Sequence, residues 1–430
     1  VIRFIYNLLW PIGLLLFLPG YLVKMFRRGG YREKFGQRLG IYDRHLQARL
    51  YWKKSIWLHA VSVGEVMIAL KLARQIRSLR EDQHFVLTTT TTTGFAFANR
   101  NAPEWIEVMY SPLDFWPIMR RAFEVIRPTK ILLVEAEVWP NMVAETKSRK
   151  IPIALVNARL SPRSEKRFRT FRKFISPTFQ LLDLVCVQNV DDVEKWSGLG
   201  IAPSKIKQVG SIKFDPEEIR IDPKLARDAL AGFGLENRTV ILGGSTHAGE
   251  EKILGEVFRA LRRDFVDLLL VLAPRHTERI AEVQAELKEM EFQTALRSQP
   301  AAVDPFLNCL LIDTTGELRH WYASATLVFV GKSLLARGGQ NPAEAILAGK
   351  PVIFGPHMEN FSALAKSLIA QGGAVQVSSA TDLRRAMAHL LANPEEREKM
   401  VANARQVLEI HRGATARTAA LAADLSKAAA

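Results

Sequence analysis

Acids, glycine-rich turns and isolated basic residues stand at the ends of apolar runs along this chain, and that placement points to chemistry. Ser62-Val-Gly-Glu65 lies where the apolar run 56–63 gives way to a helical pattern, so Glu65 would project from the carboxyl edge of a sheet. A carboxylate there can take a proton from a substrate hydroxyl. A first-turn glutamate favoured by the helix dipole fits the same spacing. Glu135-Ala-Glu137-Val-Trp-Pro140 places two more acids at a strand end, and carboxylates facing one site raise each other's pKa. Lys213, in Ser211-Ile-Lys-Phe-Asp215, suits the stabilisation of developing negative charge, although a solvated lysine satisfies the spacing equally well.

The second half of the chain carries a different set. Gly243-Gly-Ser-Thr-His247 follows a strand pattern and could cradle phosphate with backbone N–H groups. Pro274-Arg275-His276 follows the next strand, where Arg275 could grip a phosphate or carboxylate through two parallel hydrogen bonds. Asp313-Thr-Thr-Gly-Glu317 closes a third. A fourth strand, 325–331, leads to Arg337-Gly-Gly-Gln-Asn-Pro-Ala-Glu344, in which Pro342 opens a helix, Asn341 caps it and Glu344 is placed for a hydroxyl pair. Any one glycine-rich turn is weak evidence, but four strand ends of one domain that carry Gly, Ser/Thr or Arg near helix starts favour a nucleotide site. Neither an Asp-x-Asp motif nor a His/Cys cluster with metal-ligand spacing occurs, so a phosphate-bound metal is not indicated. The Gly-x-Ser-x-Gly elbow and the Walker motif are also missing, which argues against a serine hydrolase and a P-loop enzyme.

Positioning these residues requires alternating strands and helices. Apolar runs at 56–63, 85–87, 131–134, 153–156 and 182–187 alternate with helical patterns, pause over the charged stretch 215–238, and resume at 240–244, 268–272, 310–312, 327–330 and 352–354. That pattern implies right-handed βαβ units and an α/β fold of two Rossmann-like domains facing a cleft. The expected division is a membrane anchor over 1–26, a first domain over 27–215, a linker over 216–238, a second domain over 239–413 and a C-terminal tail over 414–430 that reads as a frayed, alanine-rich helix. A length of 430 residues fits two domains, and 48% apolar with 24% charged residues fits a globular protein. Cys186 and Cys309 both fall in apolar strand-like runs and read as buried structural thiols.

The net charge of +15 implies an acidic partner. Arg27, Arg28, Arg32, Lys34 and Arg38 follow residues 4–23, an uncharged stretch about long enough to cross a bilayer. Asn7, Pro11 and Pro19 weaken that helix, so an in-plane anchor competes with a span. The basic flank places the body of the protein on the cytoplasmic side. A second basic cluster, Arg159, Arg163, Lys166, Arg167, Arg169, Arg172 and Lys173, is interleaved with Phe168, Phe171 and Phe174. No zinc-finger or RNA-binding aromatic motif accompanies it, and the balance favours an anionic membrane surface over nucleic acid.

Taken together, several stretches resemble the family of 3-deoxy-D-manno-octulosonic acid (Kdo) transferases. These are Tyr31-Arg-Glu-Lys-Phe-Gly-Gln-Arg-Leu-Gly40, His59-Ala-Val-Ser-Val-Gly-Glu65, the threonine run Thr88 to Thr93 with Gly94, and Glu135-Ala-Glu-Val-Trp-Pro140. To them belong Asn157-Ala-Arg-Leu-Ser161, Gly210-Ser-Ile-Lys-Phe-Asp215, Ser245-Thr-His-Ala-Gly-Glu250, Ala273-Pro-Arg-His276, Gly338-Gly-Gln-Asn-Pro342 and Phe354-Gly-Pro-His357. The resemblance runs in order from residue 1 to about 410. It implies an inverting, metal-independent GT-B glycosyltransferase, with no cofactor, that moves Kdo from CMP-Kdo to the lipid A precursor (lipid IVA) at the cytoplasmic face of the inner membrane. It further implies Glu65 as the base, Glu135 and Lys213 as transition-state stabilisers, and a CMP site built from Pro274, Arg275, Thr315, Gly316, Glu317, Asn341, Pro342, Ala343 and Glu344. Gln340 departs from the family pattern, which commonly has histidine there, and this puts a side-chain contact to the donor from that position in doubt. Another GT-B enzyme using a different nucleotide sugar, and a non-catalytic basic protein binding lipid or nucleic acid, are the competing readings.

Overall fold

The computed structural model describes residues 2–28, 34–160, 162–215, 221–299 and 304–426. Two compact units divide the chain: 1–215 together with 413–430, and 216–412.

The first unit is built on seven parallel strands: β1 (Ser55–Ala60), β2 (His84–Thr89), β3 (Ile106–Tyr110), β4 (Lys130–Val134), β5 (Ile153–Ala158), β6 (Leu184–Val187) and β7 (Ile206–Gln208). Their spatial order is 3-2-1-4-5-6-7, all parallel. The central strands are apolar on both faces because helices cover both. Trp57, Ile131 and Leu133 pack into one core, while Ile56, Leu58, Leu132 and Val134 pack into the other. Helix Val63–Leu79 buries its apolar stripe Val66, Ala69, Leu70, Ala73 and Ile76.

The second unit repeats the plan with β8 (Thr239–Thr246), β9 (Leu268–Pro274), β10 (Thr294–Leu296), β11 (Cys309–Leu311), β12 (Leu327–Val330), β13 (Val352–Phe354) and β14 (Val375–Gln376). Its order is 10-11-9-8-12-13-14, again parallel throughout. Both cysteines are free and buried, and burial pushes the Cys186 thiol up to about 12.

Three sequence expectations change. The C-terminal helix is packed rather than frayed: Ala414–Asp424 closes the first unit, with Ala419 and Ala422 buried in its core. Small alanine side chains permit close approach to Val63–Leu79, and the helix ends are tied down. Asp215 accepts hydrogen bonds from the backbone N–H groups of Gly413 (3.0 Å) and Thr415 (2.7 Å), and Lys130 Nζ donates to the carbonyl of Ala422 (3.0 Å). The stretch 216–238 is not simply a linker, because it contains helix Pro223–Gly232, capped by Asp222 and buried through Ala226 and Leu230 within the second unit. Asn7, expected to weaken the N-terminal helix, instead docks it.

That helix, Ile2–Arg28, runs through Pro11 and Pro19 without interruption. Asn7 Nδ2 donates to Asn141 Oδ1 and Asn141 Nδ2 donates back to Asn7 Oδ1, both at 2.9 Å. Arg3 Nε donates to the same Asn141 Oδ1 (3.1 Å), and Trp10 stacks on Phe115 with ring centroids 4.9 Å apart. Asp114, which accepts from the N–H groups of Asn141 and Met142, anchors the receiving surface. Phe4, Leu8, Leu9, Ile12, Leu15 and Leu16 stay exposed on the helix. Among the described residues, no helix is long and apolar enough to cross a membrane. Arg32, Ser161 and Tyr31-Arg-Glu33, and the side chains of Arg27, Arg28 and Arg163, lie outside the described residues.

Candidate active site

In each sheet the strand order reverses near the centre, between β1 and β4 in the first unit and between β8 and β12 in the second. At such a point successive connections leave to opposite faces, opening a crevice at the carboxyl ends of the strands. The predicted residues of each unit collect there.

In the first unit, Glu65 and Glu135 emerge from the adjacent strands β1 and β4. Ser62 caps the helix Val63–Leu79, and Glu65 turns back on it. Its Oε1 accepts from Ser62 Oγ and its Oε2 from the N–H of Val61, both at 2.8 Å. Glu65 is therefore both a helix cap and a carboxylate fixed at the sheet edge, each oxygen keeping a lone pair to accept a further proton. Burial raises its pKa above the ordinary glutamate value, and the charge of Glu135 adds to the shift against the hydrogen bonds from Val61 and Ser62. Glu137 is pushed up to about 7, by burial first and then by Glu65 and Glu135.

Glu135 has a left-handed backbone (φ 61°), a conformation that costs a non-glycine residue on the order of 1 kcal/mol or more. Its N–H donates to the carbonyl of Val156 on β5 (3.0 Å), which fixes the turn. Lys213 is positioned by Asn157, another left-handed residue (φ 52°), whose Oδ1 accepts the N–H of Ile212 at 3.0 Å. Burial lowers Lys213 to about 8, with Glu135 pushing it up and Arg159 pushing it down. One sheet edge thus gathers three acids and a lysine, of which Glu137 and Lys213 change charge near neutral pH. The threonine loop flanks them: Thr91 caps helix Thr92–Asn101, and its Oγ1 donates to the carbonyl of Val61 at 2.9 Å.

In the second unit the predicted donor residues end four neighbouring strands: Thr315, Gly316 and Glu317 after β11, Pro274 and Arg275 at β9, the glycine turn at β8, and residues 337–344 after β12. Arg275 is exposed, and its N–H donates to the carbonyl of Thr246 (3.0 Å). Glu317 Oε2 lies 3.3 Å from Arg297 Nε. Gly338 and Gly339 both have positive φ (120° and 67°), and a Cβ on Gly339 would lie 2.5 Å from Met358 Sδ. The helix begins at Ala343, one residue later than expected, with Pro342 in the N-cap position and Asn341 Oδ1 still accepting the N–H of Ala343 (3.1 Å). Gln340 Nε2 lies 3.4 Å from His247 Nε2, so the departure from the family pattern keeps a polar side chain against the β8 turn.

The residue that organises this crevice is Glu250, which carried no role in the sequence reading. Its buried carboxylate accepts four backbone N–H groups: Lys332 (2.8 Å) and His247 (2.9 Å) on Oε2, Ser333 (3.0 Å) and Leu334 (3.1 Å) on Oε1. It binds the loops after β8 and β12 to each other across the reversal point. Glu359 plays a smaller part, accepting the N–H of Gly338 at 2.7 Å. The signal in the sequence was the acid that follows Gly249 at the start of a helix, yet nothing local to Glu250 marks the distant backbone that it serves. Among the described residues, no group of three or more histidine, cysteine or acidic side chains is arranged to hold a metal ion.

The family model for 3-deoxy-D-manno-octulosonic-acid transferase (kdotransferase) matches residues 33–216, and that for glycosyl transferases group 1 matches residues 254–407. The chain is 34% identical over 402 residues to a 3-deoxy-D-manno-octulosonic acid transferase of Bordetella pertussis, covering 91% of this chain and 92% of that one. It is 32% identical over 390 residues to the Haemophilus influenzae protein of the same name, covering 90% of each. The chain belongs to the Kdo transferase family. Among solved structures, MurG of Acinetobacter baumannii superposes with a TM-score of 0.55 at 16% identity, over 86% of this chain and 99% of that one. A likeness at that identity speaks to fold alone, and the fold is GT-B: two Rossmann-like domains, as in other glycosyltransferases.

Proposed function

We propose that this protein transfers Kdo from CMP-Kdo to the lipid A precursor, lipid IVA, in lipopolysaccharide biosynthesis. The observation that carries the reading is the placement of Glu65: a fixed, partly buried carboxylate with a raised pKa, at the reversal point of the first sheet, in a chain of the Kdo transferase family. Glu65 accepts the proton of the attacking acceptor hydroxyl as the new glycosidic bond forms, and CMP departs with the bonding electrons. Glu135 and Lys213 steady the charges that develop around the reacting carbon.

The second unit holds the donor. Arg275 and the backbone N–H groups near Gly316 and Asn341 meet the phosphate of CMP, while Glu317 and Glu344 suit its hydroxyls. Neutralising one phosphate in this way requires no metal, and turnover is expected to survive a chelator. The docked N-terminal helix, with apolar residues exposed, lies in the cytoplasmic surface of the inner membrane, where the basic cluster at 166–173, on helices Pro162–Thr170 and Arg172–Phe179, meets anionic lipid. Incubation with CMP-Kdo and a tetra-acylated lipid A precursor in excess EDTA, followed by mass spectrometry, tests the reading. A product heavier by one or more Kdo residues supports it, whereas turnover with UDP-sugars and none with CMP-Kdo contradicts it.

A further inference from the structure

Beside the N-terminal helix the first unit contains a groove of about 510 Å³, within the roughly 300–1,000 Å³ of ordinary small-ligand pockets. Its walls are the N-terminal helix through Ile5 and Tyr6, the β4 loop through Val138 and Trp139, helix Pro140–Ser148 through Ala144, and helix Arg172–Phe179 through Phe174. Arg3 is the single charged residue among those lining it. Polar ligand groups placed against such walls would lose their hydration without gaining partners.

Two features identify what fills it. Val138, which lines the groove, directly follows Glu137 in the loop that also carries Glu135, so the groove lies beside the acidic edge described above. The helices that flank it, Pro162–Thr170 and Arg172–Phe179, carry Lys166, Arg167, Arg169, Arg172 and Lys173. An apolar slot bordered by cations next to a carboxylate cluster complements a phosphorylated glycolipid: chain in the slot, phosphates on the rim, hydroxyl at the acids. We propose that this groove seats one acyl chain of the acceptor lipid and thereby sets the depth at which its hydroxyl is presented. The inference rests on the reading of the acceptor as an acylated, phosphorylated sugar.

Ala144→Trp fills the slot from its wall. Binding of 11-(dansylamino)undecanoate, followed by fluorescence and competed with a series of acceptors differing by two methylenes per chain, reads the site without any need for turnover. Each methylene buried is worth about fourfold in affinity, so competition should weaken by roughly fifteenfold per step. In transfer assays Ala144→Trp should raise KM for the tetra-acylated acceptor at least tenfold more than for its de-acylated counterpart. Circular dichroism and affinity for CMP report whether the variant is folded. The proposal is overturned if the probe binds wild type and variant alike, if chain length does not change competition, or if both acceptors lose equally. It is also overturned if the variant instead loses association with phosphatidylethanolamine–phosphatidylglycerol vesicles, which would make the slot a contact with bulk bilayer. Probe binding that is lost in Ala144→Trp, in a protein inert toward CMP-Kdo, would sustain the groove while rejecting the proposed reaction.

Discussion

Glu250→Gln removes one oxygen from a carboxylate that serves four backbone donors. Either oxygen replaced leaves two N–H groups facing an amide that donates rather than accepts: Lys332 and His247, or Ser333 and Leu334. Hydrogen bonds to a charged group contribute about 1.5–3 kcal/mol each, so two lost bonds amount to roughly 3–6 kcal/mol before relaxation. Allowing the loops to shift and admit water, we expect a destabilisation of about 3–5 kcal/mol in the second unit, a large share of the roughly 5–15 kcal/mol that holds a typical domain. Hydrogen exchange of the Lys332, Ser333 and Leu334 amides reads the local effect. Urea unfolding followed by Trp321, the second unit's one tryptophan, reads the global one. Because the same loops border residues 337–344, affinity for CMP should fall together with amide protection. Amides that stay protected in a variant less than about 1 kcal/mol weaker than wild type would refute the argument that this carboxylate holds the two loops.

The first unit yields three further expectations. Glu137 has a folded pKa of about 7, above its ordinary 4.5, so its contribution to stability is greatest below pH 4.5 and is lost as pH rises through about 7. The loss amounts to about 3 kcal/mol at most, and Glu137→Gln should therefore gain on wild type with rising pH; parallel stability curves would contradict this. The transfer rate should rise with pH through the elevated pKa of Glu65, which acts deprotonated, and fall again near pH 8 as Lys213 loses its proton. Lys213→Arg should move only the alkaline limb upward, and an unmoved limb would assign it to another group. For the donor, Arg275→Ala should weaken CMP-Kdo binding by about 10–100-fold, as expected for a lost charged hydrogen-bonding partner. Titration calorimetry with CMP-Kdo and with acceptor separates the two ligands, and an equal loss for both would point to misfolding instead.

Much of the architecture was legible because buried parallel strands leave long apolar runs, and β1, β4, β8, β9 and β13 are all found where such runs stand. All four edge strands were missed: β7, β10 and β14 are two or three residues long and partly exposed, and in β3 Glu107 interrupts the apolar run. The C-terminal helix was misjudged for a related reason. Its alanines read as a frayed terminal helix, and only the contacts with Val63–Leu79 and the bonds to Asp215, some two hundred residues away, show it to be core. The chemistry-bearing residues were legible as strand-end acids and bases, whereas the groups that hold them were not. Glu250 and Asn157 act on backbone brought near by folding, and no local pattern records that.

The central claim is that Glu65 takes the acceptor's proton, and its second role as a helix cap dictates the choice of variant. Glu65→Ala removes both roles, at a cost of about 1 kcal/mol from the cap alone. In Glu65→Gln the amide oxygen can still accept from Val61 and the amide nitrogen can donate to Ser62 Oγ, so the cap persists while the base is lost. The decisive measurement is kcat for Kdo transfer in Glu65→Gln, taken alongside thermal unfolding and CMP affinity. The account predicts a fall of about 10²–10⁴-fold in kcat with unfolding temperature and CMP affinity unchanged; transfer at close to the wild-type rate would contradict it.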